Sequence, residues 1–217
     1  CALPISYALG DLIGVAGGPI DLNRIVRNLT EGVGITFTDI ICDVFPSFTA
    51  QAGTAGVNLS VDDVYDGIFT LTSALNSGPY TMVIHPTQYN DWISSLRAET
   101  GAASFSPATA EMLGSKGPGY RGSWLNLDVY VSDSVDHNGA GSLQGAMFGQ
   151  GAIAYSMAPV AQMAGMIPAS NILVNAGDLI VELDRTASDG VSAAYAHMYM
   201  GVSLAEQGRG CELLSDQ

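Results

Sequence analysis

The clearest hydrophobic pattern lies between residues 79 and 96, where an apolar run passes through a proline into helical spacing. Pro86 can open a helix, because the N–H groups of a first helical turn have no intrahelical acceptor. Beyond it, the apolar positions recur at helical spacing and form one stripe: Tyr89, Trp92, Ile93 and Leu96. The pattern predicts a strand followed at once by an amphipathic helix.

Two more helices are predicted upstream. From Asp21 to Phe45 the apolar positions keep close to a 3.6-residue period, which predicts a long helix over 21–45 that Pro46 ends. A second helix is predicted over 61–76, with Ser60 as its N-cap and two aspartates in its first turn. Its apolar residues are expected to line one face: Val61, Val64, Tyr65, Ile68, Phe69, Thr72 and Leu75.

The remaining segments alternate between strand patterns and Gly-rich connections. Residues 1–20 are predicted as an extended or loop segment, and 49–57 and 134–141 as loops. Residues 98–122 are predicted as a surface excursion with a short helix at 108–113. Single strands are predicted over 124–132 and over 143–157, the latter broken at Gly149 and Gly151. Segments 172–184 and 191–204 are predicted to form a long antiparallel hairpin.

Composition changes this picture in one respect. With 217 residues, 47% hydrophobic content and a mean hydropathy of +0.26, the chain can bury one sizeable core or two small subdomains. Charged residues make up only 13%, against about 25% in typical soluble domains. So uncharged a surface suggests that copies of the chain cover one another.

Charge and hydropathy exclude several classes of partner. The formal net charge is −14, and Lys116 is the only lysine, so the basic clusters that bind nucleic acid are missing. No apolar run approaches the roughly 18 residues that span a bilayer, so we expect no membrane contact. The three cysteines have unrelated spacings, which favours free, mostly buried thiols over disulfides or a zinc site.

The sequence contains no reactive constellation, so we predict no catalytic, cofactor-binding or metal site and no cofactor. The aspartates 62, 63 and 66 are explained by capping and solvation, and His85 by a local hydrogen bond. Asp133, Asp136 and Asn138 lack the order of a calcium loop, and His137 lies in the same turn. No G-x-S-x-G elbow is present, so the chain is predicted not to be an enzyme.

Taken in order, these segments resemble a tailed-bacteriophage major capsid protein of the Hong Kong 97 type. The resemblance covers nearly all of 21–217 and is carried by the long "spine" helix and the capped helix, then by four sequence motifs: TMVIHPTQYNDWISSL, RGSWLNLDVYVSDSV, GAMFGQGAIAYSM and the closing hairpin. It implies an α+β fold with a peripheral domain (spine helix plus long β-hairpin) and an axial domain (central sheet flanked by helices).

The resemblance also implies a domain division and partners. Residues 1–20 would be a remnant of an N-terminal arm or loop, 21–58 the peripheral spine helix, 59–168 mainly the axial domain, and 169–217 the peripheral hairpin and C-terminal segment. The partners would be copies of the chain as hexamers and pentamers, with scaffold, portal or decoration proteins. The shell of the virion would enclose double-stranded DNA without sequence-specific binding.

Two departures from the family and two alternatives accompany this hypothesis. Only about twenty residues precede the spine helix, so we expect that an arm and an extended loop are missing or trimmed. Lys116 is the only possible donor for a lysine–asparagine crosslink, and none is predicted. The alternatives are an encapsulin-type compartment shell and, from another class, an acidic α/β hydrolase using Asp133, Asp136 and His137.

Overall fold

The computed structural model describes residues 5–10, 22–74, 78–99, 105–135, 141–158, 172–176, 179–184 and 191–216. The chain divides into two compact units. The first comprises Cys1–Phe37 and Tyr155–Gly201, and the second comprises Thr38–Ala154 and Val202–Gln217. These two units are not the predicted peripheral and axial domains, and that division stays a prediction.

The first unit contains an antiparallel four-stranded sheet in the order β1-β11-β10-β9. Its strands are β1 (Ile5–Gly10), β9 (Ile172–Ala176), β10 (Leu179–Asp184) and β11 (Val191–His197). Ile180, Glu182 and Ala196 are buried in it. His197 Nε2 lies 2.7 Å from a Glu182 carboxylate oxygen across the β10–β11 pair, so this buried carboxylate has a hydrogen-bond partner.

The second unit is built on a mixed seven-stranded sheet in the order β2-β13-β7-β3-β6-β5-β4. Its strands are β2 (Ala50–Gly53), β3 (Tyr80–Ile84), β4 (Ser106–Pro107), β5 (Tyr120–Trp124), β6 (Leu127–Val131), β7 (Leu143–Gly149) and β13 (Gly210–Ser215). Met82 is opposite Val129 in the parallel β3–β6 pair and opposite Met147 in the antiparallel β3–β7 pair. These three side chains therefore share one face of the sheet.

Two helices cover that face. They are α2 (Val61–Ser73), which packs on β2, β13 and β7, and α3 (Pro86–Ala98), which contacts α2. The core between them includes these buried residues: Val61, Val64, Leu71, Met82, Ile84, Trp92, Leu96, Trp124, Leu127, Met147 and Leu213. The strand–proline–helix unit predicted around Pro86 and the buried Trp92–Leu96 stripe are confirmed.

A second, smaller cluster occupies the opposite face. Phe45 and Phe48 pack there with Ala146, whose neighbour Met147 points to the first face because strand side chains alternate. Cys42 ends the long helix α1 (Leu22–Cys42), and Phe45–Ser47 follow as a 3-10 helix. The helix thus ends three residues before the predicted Phe45, and Pro46 lies in the 3-10 turn after it.

The start of α2 confirms the predicted cap. Ser60 Oγ accepts a hydrogen bond from the Asp63 backbone N–H at 3.2 Å, and the Ser60 N–H donates to Asp63 Oδ2 at 2.8 Å. This reciprocal pair is a capping box, which satisfies two N–H groups that the helix leaves without acceptors. The helix ends at Ser73, and residues 75–77 lie outside the described residues.

We expect Ser60→Ala to lower the free energy of unfolding by about 1 kcal/mol, because the orphan N–H of Asp63 loses its acceptor. Urea unfolding of the unassembled protein measures the loss. Ser94→Ala is the matched control: its exposed hydroxyl donates only to the Asn90 carbonyl, 2.7 Å away within α3, and a change within about 0.5 kcal/mol is expected. Equal losses in the two variants would contradict the capping role.

Two sequence predictions are wrong in the second unit, and one is shifted along the chain. The single strand over 124–132 is the hairpin β5–β6, which turns at Leu125 and Asn126 with φ of 47° and 65°. The loop over 49–57 contains β2, and the C-terminal segment contains β13, which lies between β2 and β7. The short helix predicted at 108–113 is present as α4 (Ala110–Lys116), which begins two residues and ends three residues later than predicted.

The closing hairpin is also more divided than predicted. Segment 172–184 holds two strands, β9 and β10, which pair with each other, and β10 then pairs with β11. β12 (Met200–Leu204) pairs instead with β8 (Ile153–Met157). The predicted break at Gly149 and Gly151 is confirmed, since β7 ends at Gly149 and Gly151 has a positive φ of 84°.

Candidate assembly surfaces

The outer face of α2 carries an exposed row of two acidic and two aromatic side chains. Asp62, Tyr65, Asp66 and Phe69 have i, i+3, i+4 and i+7 spacing, which places them on one side of a helix. Phe69 is 72% exposed and Tyr65 is 45% exposed. We call these four residues the acidic–aromatic stripe. Large aromatic residues so exposed are typical of sites that another molecule covers.

Packing beneath α2 holds the stripe in place. Gly67 faces the sheet, and a Cβ added there would lie 2.6 Å from Met147 Cε, so the helix backbone approaches the sheet closely. The Tyr65 ring meets Trp124 edge to face with ring centroids 4.9 Å apart. Leu125, directly after Trp124 at the tip of the β5–β6 hairpin, is 46% exposed. The Tyr65 ring is therefore held against the core, on a helix that lies close to the sheet.

The stripe corrects the sequence prediction that Tyr65 and Phe69 share one face with Val61, Val64 and Ile68. At 100° per residue, the apolar positions of α2 cover a wider arc than one sheet face can bury. The sheet covers the side that contains Val61, Val64 and Leu71. The excess width of the apolar arc was the available signal for an exposed aromatic pair.

Two exposed arginines belong to the second unit. Arg97 is in the last turn of α3 and Arg121 is in β5. Burial raises the pKa of Tyr89, and the charges of Arg121 and Arg97 oppose that rise.

The second face of the large sheet is open beside the smaller core cluster. A groove of about 650 Å³ lies there, with Ile41, Phe45, Val83 and Tyr130 among its lining residues. Burial raises the pKa of Tyr130. The Cys42 thiol at the groove is buried and is not part of a disulfide. The lining is largely apolar, which suits contact with protein better than polar catalysis.

In the first unit, exposed apolar residues lie on α1 and β8. Ile35 is 61% exposed and Tyr155 is 67% exposed. The Tyr155 ring packs edge to face against Phe37, with centroids 6.4 Å apart. Each unit therefore presents large apolar side chains to its surroundings.

Some candidate residues for chemistry have structural partners, some are exposed, and some lie outside the described part of the chain. Asp63 is in the capping box, and His85 is the N-cap of α3, where its Nδ1 accepts from the Thr87 N–H at 3.2 Å, as the sequence predicted. Asp133 is exposed at the groove. Asp136, His137 and Asn138 lie outside the described residues, so the hydrolase constellation and the calcium-loop alternative are not described.

Lys116 and Cys211 also have structural surroundings that explain them without a reactive site. Lys116 Nζ binds Asp128 Oδ2 at 2.6 Å and lies 4.6 Å from the centre of the Tyr120 ring. A hydrogen bond from Lys116 to Asp128 raises the lysine pKa. Burial raises the pKa of the Cys211 thiol to about 11, so at neutral pH it is protonated and a poor nucleophile. Cys1 lies outside the described residues.

Among the described residues, no group of three or more His, Cys, Asp or Glu side chains is arranged to hold a metal ion. None of the helices in the described part combines the length and hydropathy needed to cross a bilayer. The predicted absence of catalytic and cofactor sites stays a prediction.

Solved structures share this fold across nearly the whole chain. The head structure of Helicobacter pylori bacteriophage KHP40 matches with a TM-score of 0.63 and 13% identity, covering 100% of this chain and 74% of the other. The capsid of Ralstonia phage GP4 gives 0.64 and 11%, with 100% and 73% covered. An encapsulin complex from Synechococcus elongatus gives 0.67 and 11%, with 98% and 72% covered.

No protein-family profile matches the chain, and no curated protein matches its sequence. The likeness is therefore one of structure. It confirms the predicted α+β architecture: the chain has the Hong Kong 97-type fold of phage major capsid proteins, a fold that the encapsulin match shares. The observed fold is not the α/β core that the hydrolase hypothesis required.

Proposed function

We propose that this protein is the major capsid protein of a tailed bacteriophage, the structural subunit that self-assembles into an icosahedral shell around double-stranded DNA. The observation that carries the proposal is the whole-chain likeness to the shells of phages KHP40 and GP4. A shared fold does not by itself fix a function. The surface supplies the second argument.

The surface is that of a subunit. Only 13% of the residues are charged, and large apolar side chains such as Phe69, Tyr155 and Ile35 are more than half exposed. An isolated soluble domain gains nothing from such exposure, whereas copies in a shell would bury it. In this proposal the chain acts without catalysis, in the virion, as hexamers and pentamers.

The net charge of −14 fits a shell that encloses DNA without binding it. An acidic wall repels phosphate, so packaged DNA is retained by the closed container. Scaffold, portal or decoration proteins would be further partners of the shell. The proposal includes a domain division: 21–58 and 169–217 would form a peripheral domain, and 59–168 would form an axial domain.

The second candidate is an encapsulin shell, because an encapsulin complex matches the fold as well as the phage capsids do. The two functions differ in contents, since an encapsulin compartment holds cargo protein and a phage head holds the genome. The low lysine content and the Gly- and Ala-rich composition favour the phage.

Sedimentation velocity and negative-stain electron microscopy of the purified full chain test the proposal. We expect closed particles in the megadalton range. Particles isolated from the producing cells should contain nuclease-protected double-stranded DNA. Cargo protein without DNA would establish the encapsulin candidate instead, and a protein that remains a monomer or dimer under all conditions would contradict both.

A further inference from the structure

Two surfaces of the second unit lie on opposite faces of its sheet. The helix α2 covers the face that contains Met82 and Met147, so its outer side, with the acidic–aromatic stripe, faces away from the sheet. The groove opens on the other face, where Val83 and Tyr130 line it and are opposite each other in the β3–β6 pair. The stripe and the groove therefore cannot meet within one copy of the chain, but they can meet between two copies.

The stripe places negative charge beside exposed rings. Asp62 and Asp66 are like charges at i, i+4, an arrangement that destabilises an isolated helix. Neither forms a salt bridge among the described residues. Phe69, one turn after Tyr65, is 72% exposed. A partner that offers both an apolar hollow and a cation would cover the rings and neutralise the carboxylates together.

The groove offers both properties. Phe45 and Val83 contribute to its apolar walls, and Arg121 lines it as well. Arg121 is exposed and forms no salt bridge within the described part of the chain. The groove also contains the carboxylate of Asp133. Arg121 lies in β5 beside Tyr130, whereas Asp133 comes three residues after Tyr130, about 10 Å further along the strand direction. One end of the groove is therefore basic and the other acidic.

Net charge makes this basic end important for a contact between copies. Each copy has a formal charge of −14, so most of their faces repel one another. Among the described basic residues, Arg27, Lys116 and Arg209 already pair with carboxylates of their own chain. An apolar groove with an arginine that lacks a salt bridge is thus the kind of surface on which an acidic, aromatic helix face can bind.

We propose that the acidic–aromatic stripe of one copy docks in the groove of a second copy, with the Phe69 ring between the apolar walls and Asp66 beside Arg121. This inference rests on the proposed shell function and names the surfaces that join its subunits. Two different surfaces meet, so the contact is heterologous, and repeated contacts of this kind close into rings or continue as arrays. The support of the Tyr65 ring by Trp124 lowers the entropy cost of docking.

Cysteine crosslinking tests the contact directly. Copies with Asp66→Cys and copies with Arg121→Cys are mixed, assembled and treated with a short bifunctional maleimide, and a covalent dimer is expected. Either variant alone should give no more dimer than wild-type particles do, because it carries only one of the two positions and the native Cys42 and Cys211 are buried. Assembled mixed particles without the dimer would overturn the pairing.

Exchange of charges tests the electrostatic part. Asp66→Arg and Arg121→Glu, made separately, are each expected to raise the concentration at which particles form by about tenfold, since like charges across an interface oppose association. The two substitutions in one chain leave the net charge unchanged and face each other with opposite charges again. This exchange variant is expected to assemble within about threefold of the wild-type concentration.

Folding and net charge need their own controls. Circular dichroism and thermal unfolding must show that each variant folds like the wild type. Glu111→Arg changes the net charge as much as Asp66→Arg does, and Arg97→Glu as much as Arg121→Glu does, at exposed positions outside the stripe and the groove. Both controls are expected to assemble within about twofold of the wild type, because they leave the two surfaces intact.

The outcomes separate this inference from the proposed function. If the wild type forms shells and the mixed particles give no crosslinked dimer, the shell function stands and the pairing is wrong. If both single reversals assemble poorly and the folded exchange variant does not recover, Asp66 and Arg121 do not face each other. A wild type that never assembles would overturn the shell function and the pairing together.

Discussion

Replacing Gln88 with glutamate is expected to give a protein that is close to wild-type stability in acid and much less stable at pH 8. Gln88 lies in the first turn of α3 and is fully buried. Its Nε2 donates to the Leu213 carbonyl at 3.2 Å and to the Leu143 carbonyl at 3.5 Å, and its Oε1 accepts from the His85 N–H at 3.1 Å. A glutamate carboxylate would face two carbonyl oxygens with no proton to give them.

The pH dependence follows from protonation of the new side chain. A protonated glutamic acid can still donate to one carbonyl, so burial and the carbonyl dipoles should raise its pKa in the folded state by about 3 units above the ordinary 4.3. Stability is then retained below about pH 4 and is lost as the pH rises toward about 7. Three units correspond to about 4 kcal/mol of unfolding free energy at pH 8.

Two controls isolate the charge. Gln88→Met leaves the His85 N–H without its acceptor and should cost about 1–3 kcal/mol at every pH. Gln150→Glu places the same charge at an exposed position and should stay within about 0.5 kcal/mol of the wild type. Urea unfolding between pH 4 and pH 8 measures all three variants, and a flat difference between Gln88→Glu and wild type would contradict the buried-carboxylate argument.

The sequence predicted most strongly those elements whose signals are local. The Ser60 cap, the Pro86 helix start and the Trp92–Leu96 stripe depend on residues within a few positions of one another, and all three are confirmed. The Leu125–Asn126 turn was missed because it contains neither glycine nor proline. An alternating pattern across that turn looks the same as one strand.

Long-range pairing was the other limit. β2 is only Ala50–Gly53, too short and too small in its side chains to show a strand pattern, and it exists because β13 pairs with it from the far end of the chain. The assembly surfaces were missed for a related reason. Helical spacing shows that Tyr65 and Phe69 lie near Val61 and Val64, but the width of the sheet beneath decides which of them it covers.

The second large effect is expected from Trp124→Ala. Trp124 is 1% exposed and lies between two rings, with centroid distances of 5.6 Å to Trp92 and 4.9 Å to Tyr65. Removing so large a buried side chain should lower the unfolding free energy by about 3–5 kcal/mol, through lost apolar burial and the cavity that remains. Urea unfolding of the full chain measures the loss.

The neighbouring residue supplies the control. Leu125 is 46% exposed, so Leu125→Ala should change the unfolding free energy by no more than about 0.5 kcal/mol. Similar losses for Trp124→Ala and Leu125→Ala would show that the ring cluster does not hold this unit together. Trp124→Phe keeps an aromatic ring and should cost less than the alanine variant. Because the Trp124 ring supports Tyr65, Trp124→Phe also tests whether the core positions the acidic–aromatic stripe. A variant that stays folded but assembles poorly would show that the core determines the position of the stripe as well as the stability of the fold.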